Sequence, residues 1–92
     1  MARLSDSEIE QELESLEDWE RSGNAIRKDF ECGDFKGSVD LVNRLTPEAE
    51  AMNHHPDLEI SWSKVSVSLS THSEGGLTAN DFELARRIDR LA

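Results

Sequence analysis

Hydrophobic residues along this chain change their period several times, and each change marks an element. In SDSEIEQELESLEDW, Ile9, Leu13 and Leu16 recur at helical spacing, so a first helix is predicted from about Ser5 to Leu16. Ser5, with Glu8 three residues later, makes a capping-box pattern in which each side chain satisfies a backbone N–H that the helix leaves free. RSGN then reads as a turn. AIRKDFECG alternates apolar and polar residues through Ile26, Lys28 and Phe30 as a strand does, and a short strand around Trp19 to Arg21 would complete a hairpin.

Asp34 is placed to cap the next helix. Phe35, Val39, Val42, Leu45, Ala49 and Met52 step by three or four and form one apolar stripe along it. Pro47 is discordant, because proline inside a helix costs about 3 kcal/mol or more. Either the helix bends there, or Thr46 caps a second helix with Pro47 at its first position. In LEISWSKVSVSLSTH the apolar positions switch from even (Ile60, Trp62) to odd (Val65, Val67, Leu69). A continuous strand would turn its buried face over, so a tight turn or a bulge is expected near Ser63 and Lys64.

In LTANDFELARRIDRLA, Thr78 caps, Asp81 completes a box-like pair, and Leu77 can staple onto Phe82. Phe82, Ala85, Ile88 and Leu91 form the inner stripe of this last helix. The element order is α-β-β-α-β-β-α. The expected fold is α+β, a single four-stranded antiparallel sheet with helices packed on one face, residues 1–92 making one domain.

Charge narrows the function. Twenty acidic residues against ten basic ones give a formal net charge of −10, which argues against a nucleic-acid footprint, since phosphate binding needs clustered Lys and Arg. Eight of the acids lie between Asp6 and Glu20, where they fit a solvated helix face. Cys32 is the lone cysteine, so no intrachain disulfide can form, and a reducing compartment is expected. MARLSDSEIE lacks the apolar stretch of a signal peptide, and no run is long enough to span a membrane. The expectation is a cytoplasmic protein without membrane or nucleic-acid partners.

The chemistry is concentrated in the histidines, all three of which fall within nineteen positions, at His54, His55 and His72. Glu50 and His54 are four apart at a helix end, so Glu50 is expected to hold one nitrogen of His54, while His55 points elsewhere. Pro56 stops the helix and His72 closes a strand. Three readings fit this set. The imidazoles could be surface or capping residues. They could hold zinc, for which three His ligands suffice, although adjacent histidines converge poorly on one ion. Or they could exchange protons near neutral pH, to which imidazole is suited.

Glu50-x-x-x-His54-His55-Pro56, followed by Trp62, His72 and Asp81, resembles the signature of the pterin-4a-carbinolamine dehydratases. NHHP, LSTH, GGLTANDFELA and W…IRKDFECGDF are similar to that family too, over nearly the whole chain. The resemblance implies an α+β fold that forms homodimers or homotetramers and takes a small-molecule pterin. It implies dehydration of a 4a-hydroxytetrahydropterin to the quinonoid dihydropterin, after an aromatic amino acid hydroxylase has used its pterin, with no metal or organic cofactor. It places Asn53, His54 and His55 on one side of the pocket and Ser70, Thr71, His72 and Ser73 on the other. His54, steered by Glu50, and His72 would exchange the protons while His55 polarises the ring. Trp62, carried over with the substrate-binding set, is expected as core or pocket wall rather than as a stacking platform. Asp81 and Pro56 are expected as structural members of the motif, the capping box accounting for Asp81 without chemistry. Pro47, and Leu58 where the family often carries an aromatic, depart from the pattern. The resemblance leaves a rival, a non-enzymatic binding module, since the family includes members that serve as dimerisation cofactors for a transcription factor; family-like proteins that act only as partners or assembly factors tend to lose the histidines. Keeping Glu50 and all three favours the enzyme.

Overall fold

A computed structural model describes residues 2–92. The chain runs α1 (Asp6–Glu14), β1 (Glu20–Ser22), β2 (Ala25–Glu31), α2 (Phe35–Met52), β3 (Asp57–Ser61), β4 (Lys64–Leu69), a single 3₁₀ turn (His72–Glu74) and α3 (Ala79–Leu91). The strands form one antiparallel sheet in the order β1-β2-β4-β3. The expected element order and sheet are thus present.

Local chemistry sets the boundaries. Both capping boxes form: the Ser5 hydroxyl accepts from the Glu8 N–H while the Glu8 carboxylate accepts from the Ser5 N–H, and Thr78 and Asp81 do the same at α3. The Ser5 N–H, followed by the Ser5 hydroxyl, holds the Glu8 carboxyl below its ordinary range. α1 ends at Glu14, two residues short of the predicted Leu16, and Ser15 turns its hydroxyl back onto the Glu12 carbonyl. Gly23, with φ of +60°, supplies the left-handed residue of the β1–β2 turn. The parity switch resolves as a two-residue turn, Trp62–Ser63, across the Ser61–Lys64 pair.

α2 is continuous through Pro47. Thr46 does not start a new helix; its hydroxyl donates to the Val42 carbonyl one turn back, at 2.7 Å. The side chains of Asn43 and Pro47 are exposed, so the carbonyl that proline leaves without an intrahelical partner lies on the wet face.

The core lies between one sheet face and the helices. Register places Ile26, Lys28 and Phe30 beside Leu69, Val67 and Val65, and these stack under Leu41, Leu45, Phe82, Ala85 and Ile88. The predicted stripe of α2 is right at Leu45 and Ala49 but out of phase at its start. Phe35 is 56% exposed, and the buried positions are Ser38 and Leu41. A serine is tolerated there because its hydroxyl donates to the Trp62 carbonyl at 2.6 Å, tying α2 to the β3–β4 turn.

Lys28 also faces the helices, its ammonium 2.9 Å from Asp89 Oδ1 on α3 and above the Phe30 ring. Trp19 is buried edge-on to Phe30 and donates its indole N–H to the same carboxylate. Leu58 and Ile60 of β3 share the core face with Val67 and Val65, yet both remain exposed, because the helix layer does not cover this edge strand.

Candidate active site

The end of α2 sets the first two imidazoles. Asn53 takes a left-handed conformation (φ +48°, ψ +43°), which asparagine tolerates, and its N–H reaches back to the Glu50 carbonyl. The His54 N–H closes onto the Ala49 carbonyl, and Pro56 prevents any further turn. This reversal takes His54 off the face that carries Glu50.

The consequence corrects the expected pairing. His54 Nε2 lies 2.6 Å from Asp81 Oδ1, with the imidazole 10% and the carboxylate 0% exposed. It is His55 whose Nε2 bonds the Glu50 carboxylate, and both of those side chains are more than half exposed. Helical i,i+4 geometry would have served His54 only if the helix had continued past Met52.

Asp81 therefore does two jobs. As predicted, it completes the cap of α3, its Oδ2 accepting from the Thr78 N–H at 2.9 Å. Its other oxygen holds an imidazole, a role that the capping pattern alone did not reveal. Oδ2 accepts a further bond, from the Thr71 hydroxyl at 2.9 Å. The two donors on Oδ2 leave Oδ1 to the imidazole, and with the carboxyl group ionised His54 Nε2 is the donor across this contact. That assigns the tautomer of the neutral ring and leaves Nδ1 with its lone pair.

His72 lies on the 3₁₀ turn directly after Thr71. It is 82% exposed, with Nε2 3.9 Å from the Asp57 carboxylate. Asp57 begins β3, immediately after His55 and Pro56, so the end of α2, the start of β3, the end of β4 and the start of α3 meet in one polar cluster. The 3₁₀ turn is closed by backbone pairing of Thr71 with Gly76. Ser70, Thr71 and His72 line a cavity of about 220 Å³ with Asn24, Ala25, Gly75 and Gly76; its lining takes in neither His54 nor His55. Ser73 is exposed on the same turn, and Asn53 is exposed at the end of α2.

Trp62 is not brought to this cluster. It forms the turn at the far end of β3, roughly 17 Å along the strand from Asp57 at about 3.4 Å per residue. It is 72% exposed, with φ of +51°, and is neither core nor pocket wall within the chain. Reasoning from sequence also missed Asp57, whose only signal was a carboxylate directly after the His-His-Pro run. None of the described helices is long and apolar enough to cross a membrane.

Comparison with known proteins finds relatives over nearly the whole chain. The family model for pterin 4 alpha carbinolamine dehydratase matches residues 2–91. A Roseiflexus sp. (strain RS-1) protein, provisionally named a pterin-4-alpha-carbinolamine dehydratase, is 49% identical over 97% of this chain and 96% of its own length. A Sulfurisphaera tokodaii protein of the same provisional name is 46% identical over 99% and 98%. The crystal structure of a transcriptional coactivator/pterin dehydratase from Brucella melitensis superposes with a TM-score of 0.94 at 33% identity, covering 98% of both chains. A pterin dehydratase-like protein identified as a RuBisCO assembly factor in the alpha-carboxysome shares the fold, with a TM-score of 0.65 at 20% identity over 80% of this chain and 86% of its own. Over nearly its whole length, the chain belongs to the pterin-4-alpha-carbinolamine dehydratase family.

Proposed function

We propose that the protein is a lyase that removes water from a pterin-4a-carbinolamine, returning the pterin to use after aromatic hydroxylation. The observation that carries this reading is the His54–Asp81 pair, set in the polar cluster that also holds His72. Family membership supports the substrate class.

The reaction breaks the C4a–O bond. One imidazolium gives a proton to the departing hydroxyl, which leaves as water. The N5 lone pair forms the N5=C4a double bond, and a neutral imidazole takes the N5 proton. One proton is given and one received, so the pair of bases is restored once the proton is passed between them or through solvent. His54 and His72 are assigned to this exchange, and positioned acid–base groups of this kind contribute typically ~10²–10⁴-fold each. His55, held by Glu50, polarises the ring. Single His54→Ala, His55→Ala and His72→Ala variants, assayed for carbinolamine dehydration, test the roles; full rate in all three overturns them.

We further propose that the working form is a homodimer or homotetramer. Phe35, Leu58, Ile60 and Trp62 are all exposed, and β3 is an unpaired edge with an apolar face. The same surface favours a second reading, a binding module of this fold without catalysis. A protein that binds pterin and a partner but does not speed dehydration would establish that alternative.

A further inference from the structure

The structure assigns Thr71 as a positioning residue that sets the proton-bearing nitrogen of His54, an inference that rests on the dehydratase reading only for its consequence on rate. Thr71 Oγ1 lies 2.9 Å from Asp81 Oδ2 and 2.8 Å from Thr78 Oγ1. A carboxylate has no proton to give, so the single hydroxyl hydrogen of Thr71 goes to Asp81. Thr71 must then receive its second bond from the Thr78 hydroxyl, whose oxygen also accepts the Asn80 N–H at the start of α3.

With Asp81 as a carboxylate, the direction of the contacts runs from Thr78 to Thr71 to Asp81, and Oδ1 takes the Nε2 proton of His54. Asp81 is fully buried and Thr78 likewise, so no water competes for these positions. Without the Thr71 hydroxyl, one acceptor position of a buried carboxylate would lose its donor, and the carboxylate could rotate away from the imidazole. The Thr71 backbone meanwhile pairs with Gly76 and accepts from the Glu74 N–H, closing the turn that carries His72. One residue thus orients one imidazole through its side chain and the other through its main chain, and the two functions are separable by substitution.

The test compares Thr71→Val, which removes only the hydroxyl, with Thr71→Ser, which keeps it. The tautomer is read from two-bond ¹H–¹⁵N spectra of the His54 ring in the substrate-free protein. The wild type is expected to show His54 as a single Nε2–H form at pH above its titration. Thr71→Val is expected to show averaged tautomers and a dehydration kcat lowered about 10–100-fold, by analogy with metal-bound imidazoles that lose the group orienting them, with KM little changed. Thr71→Ser is expected to recover the single tautomer and most of the rate. If valine prevents folding, Thr71→Ala, which also lacks the hydroxyl, carries the same comparison. An Nδ1–H form in the wild type, or an unchanged tautomer and rate in Thr71→Val or Thr71→Ala, overturns the assignment. The predicted tautomer shift in a protein whose wild type fails to dehydrate the carbinolamine would leave Thr71 in its role and overturn the dehydratase reading instead.

Discussion

Replacing Asp81 with asparagine separates the two jobs of this side chain. The native carboxylate accepts three bonds, from Thr78 N–H, Thr71 O–H and His54 Nε2–H. An asparagine carbonyl can keep the first two, but its amide must then face His54 and donate. Nε2 is forced to accept, and the proton of the neutral ring moves to Nδ1. All three bonds lose their charge assistance, about 1 kcal/mol each, and each kcal/mol lowers the melting temperature of a domain this size by roughly 4–8 °C. The rate should fall much further than stability suggests, by up to the ~10²–10⁴-fold that an acid–base group supplies. Dehydration would be followed by the absorbance of the quinonoid product, with thermal unfolding as control. Because both changes act through the same ring, Asp81→Asn combined with His54→Ala should be no slower than His54→Ala alone. An Asp81→Asn protein that is folded and within twofold of wild-type rate would refute the claim that the tautomer of His54 matters.

Four further outcomes follow from the fold. Pro47→Ala should stabilise the protein, by up to about 3 kcal/mol, since the helix already runs through this exposed position; a lower urea midpoint would count against it. Asp89→Ala should cost about 2 kcal/mol, because it strands the Lys28 ammonium and the Trp19 indole N–H together, and Asp89→Asn should cost less. The folded-state pKa of Glu8 lies below its unfolded value, so its stabilisation is complete above the ordinary carboxylate range and is lost as pH falls through the lowered value. Hydrogen exchange in α1 should therefore speed up on acidification, and Glu8→Gln should flatten that dependence. Ile60→Asp should shift sedimentation toward the monomer without unfolding the chain; an unchanged assembly would place the subunit contact elsewhere.

Much of this architecture was legible because it is written locally. Ser5 with Glu8, Thr78 with Asp81, and the parity change between Trp62 and Val65 each specify a cap or a turn within a few residues. What escaped depends on contacts distant in sequence. Ser38 displaces Phe35 from the start of the α2 stripe because its hydroxyl finds the Trp62 carbonyl, and no pattern of apolar spacing predicts that. Lys28 reads as a polar interruption of β2 until Asp89 arrives from α3. Glu50 lost His54 for a conformational reason, the left-handed Asn53, whereas Asp81 gained it across 27 positions. Leu58 and Ile60 alternate as a half-buried strand should, and only the extent of the helix layer shows that their face is bare. The positions of the imidazoles were therefore readable, but their partners were not.

The most direct test is to supply a pterin-4a-carbinolamine to the purified protein and compare its loss with the spontaneous reaction. Catalysed dehydration by the wild type, reduced to the background rate in a folded His54→Ala/His72→Ala double variant, is the predicted result. Loss of the carbinolamine at the uncatalysed rate in the presence of folded wild-type protein would contradict the account.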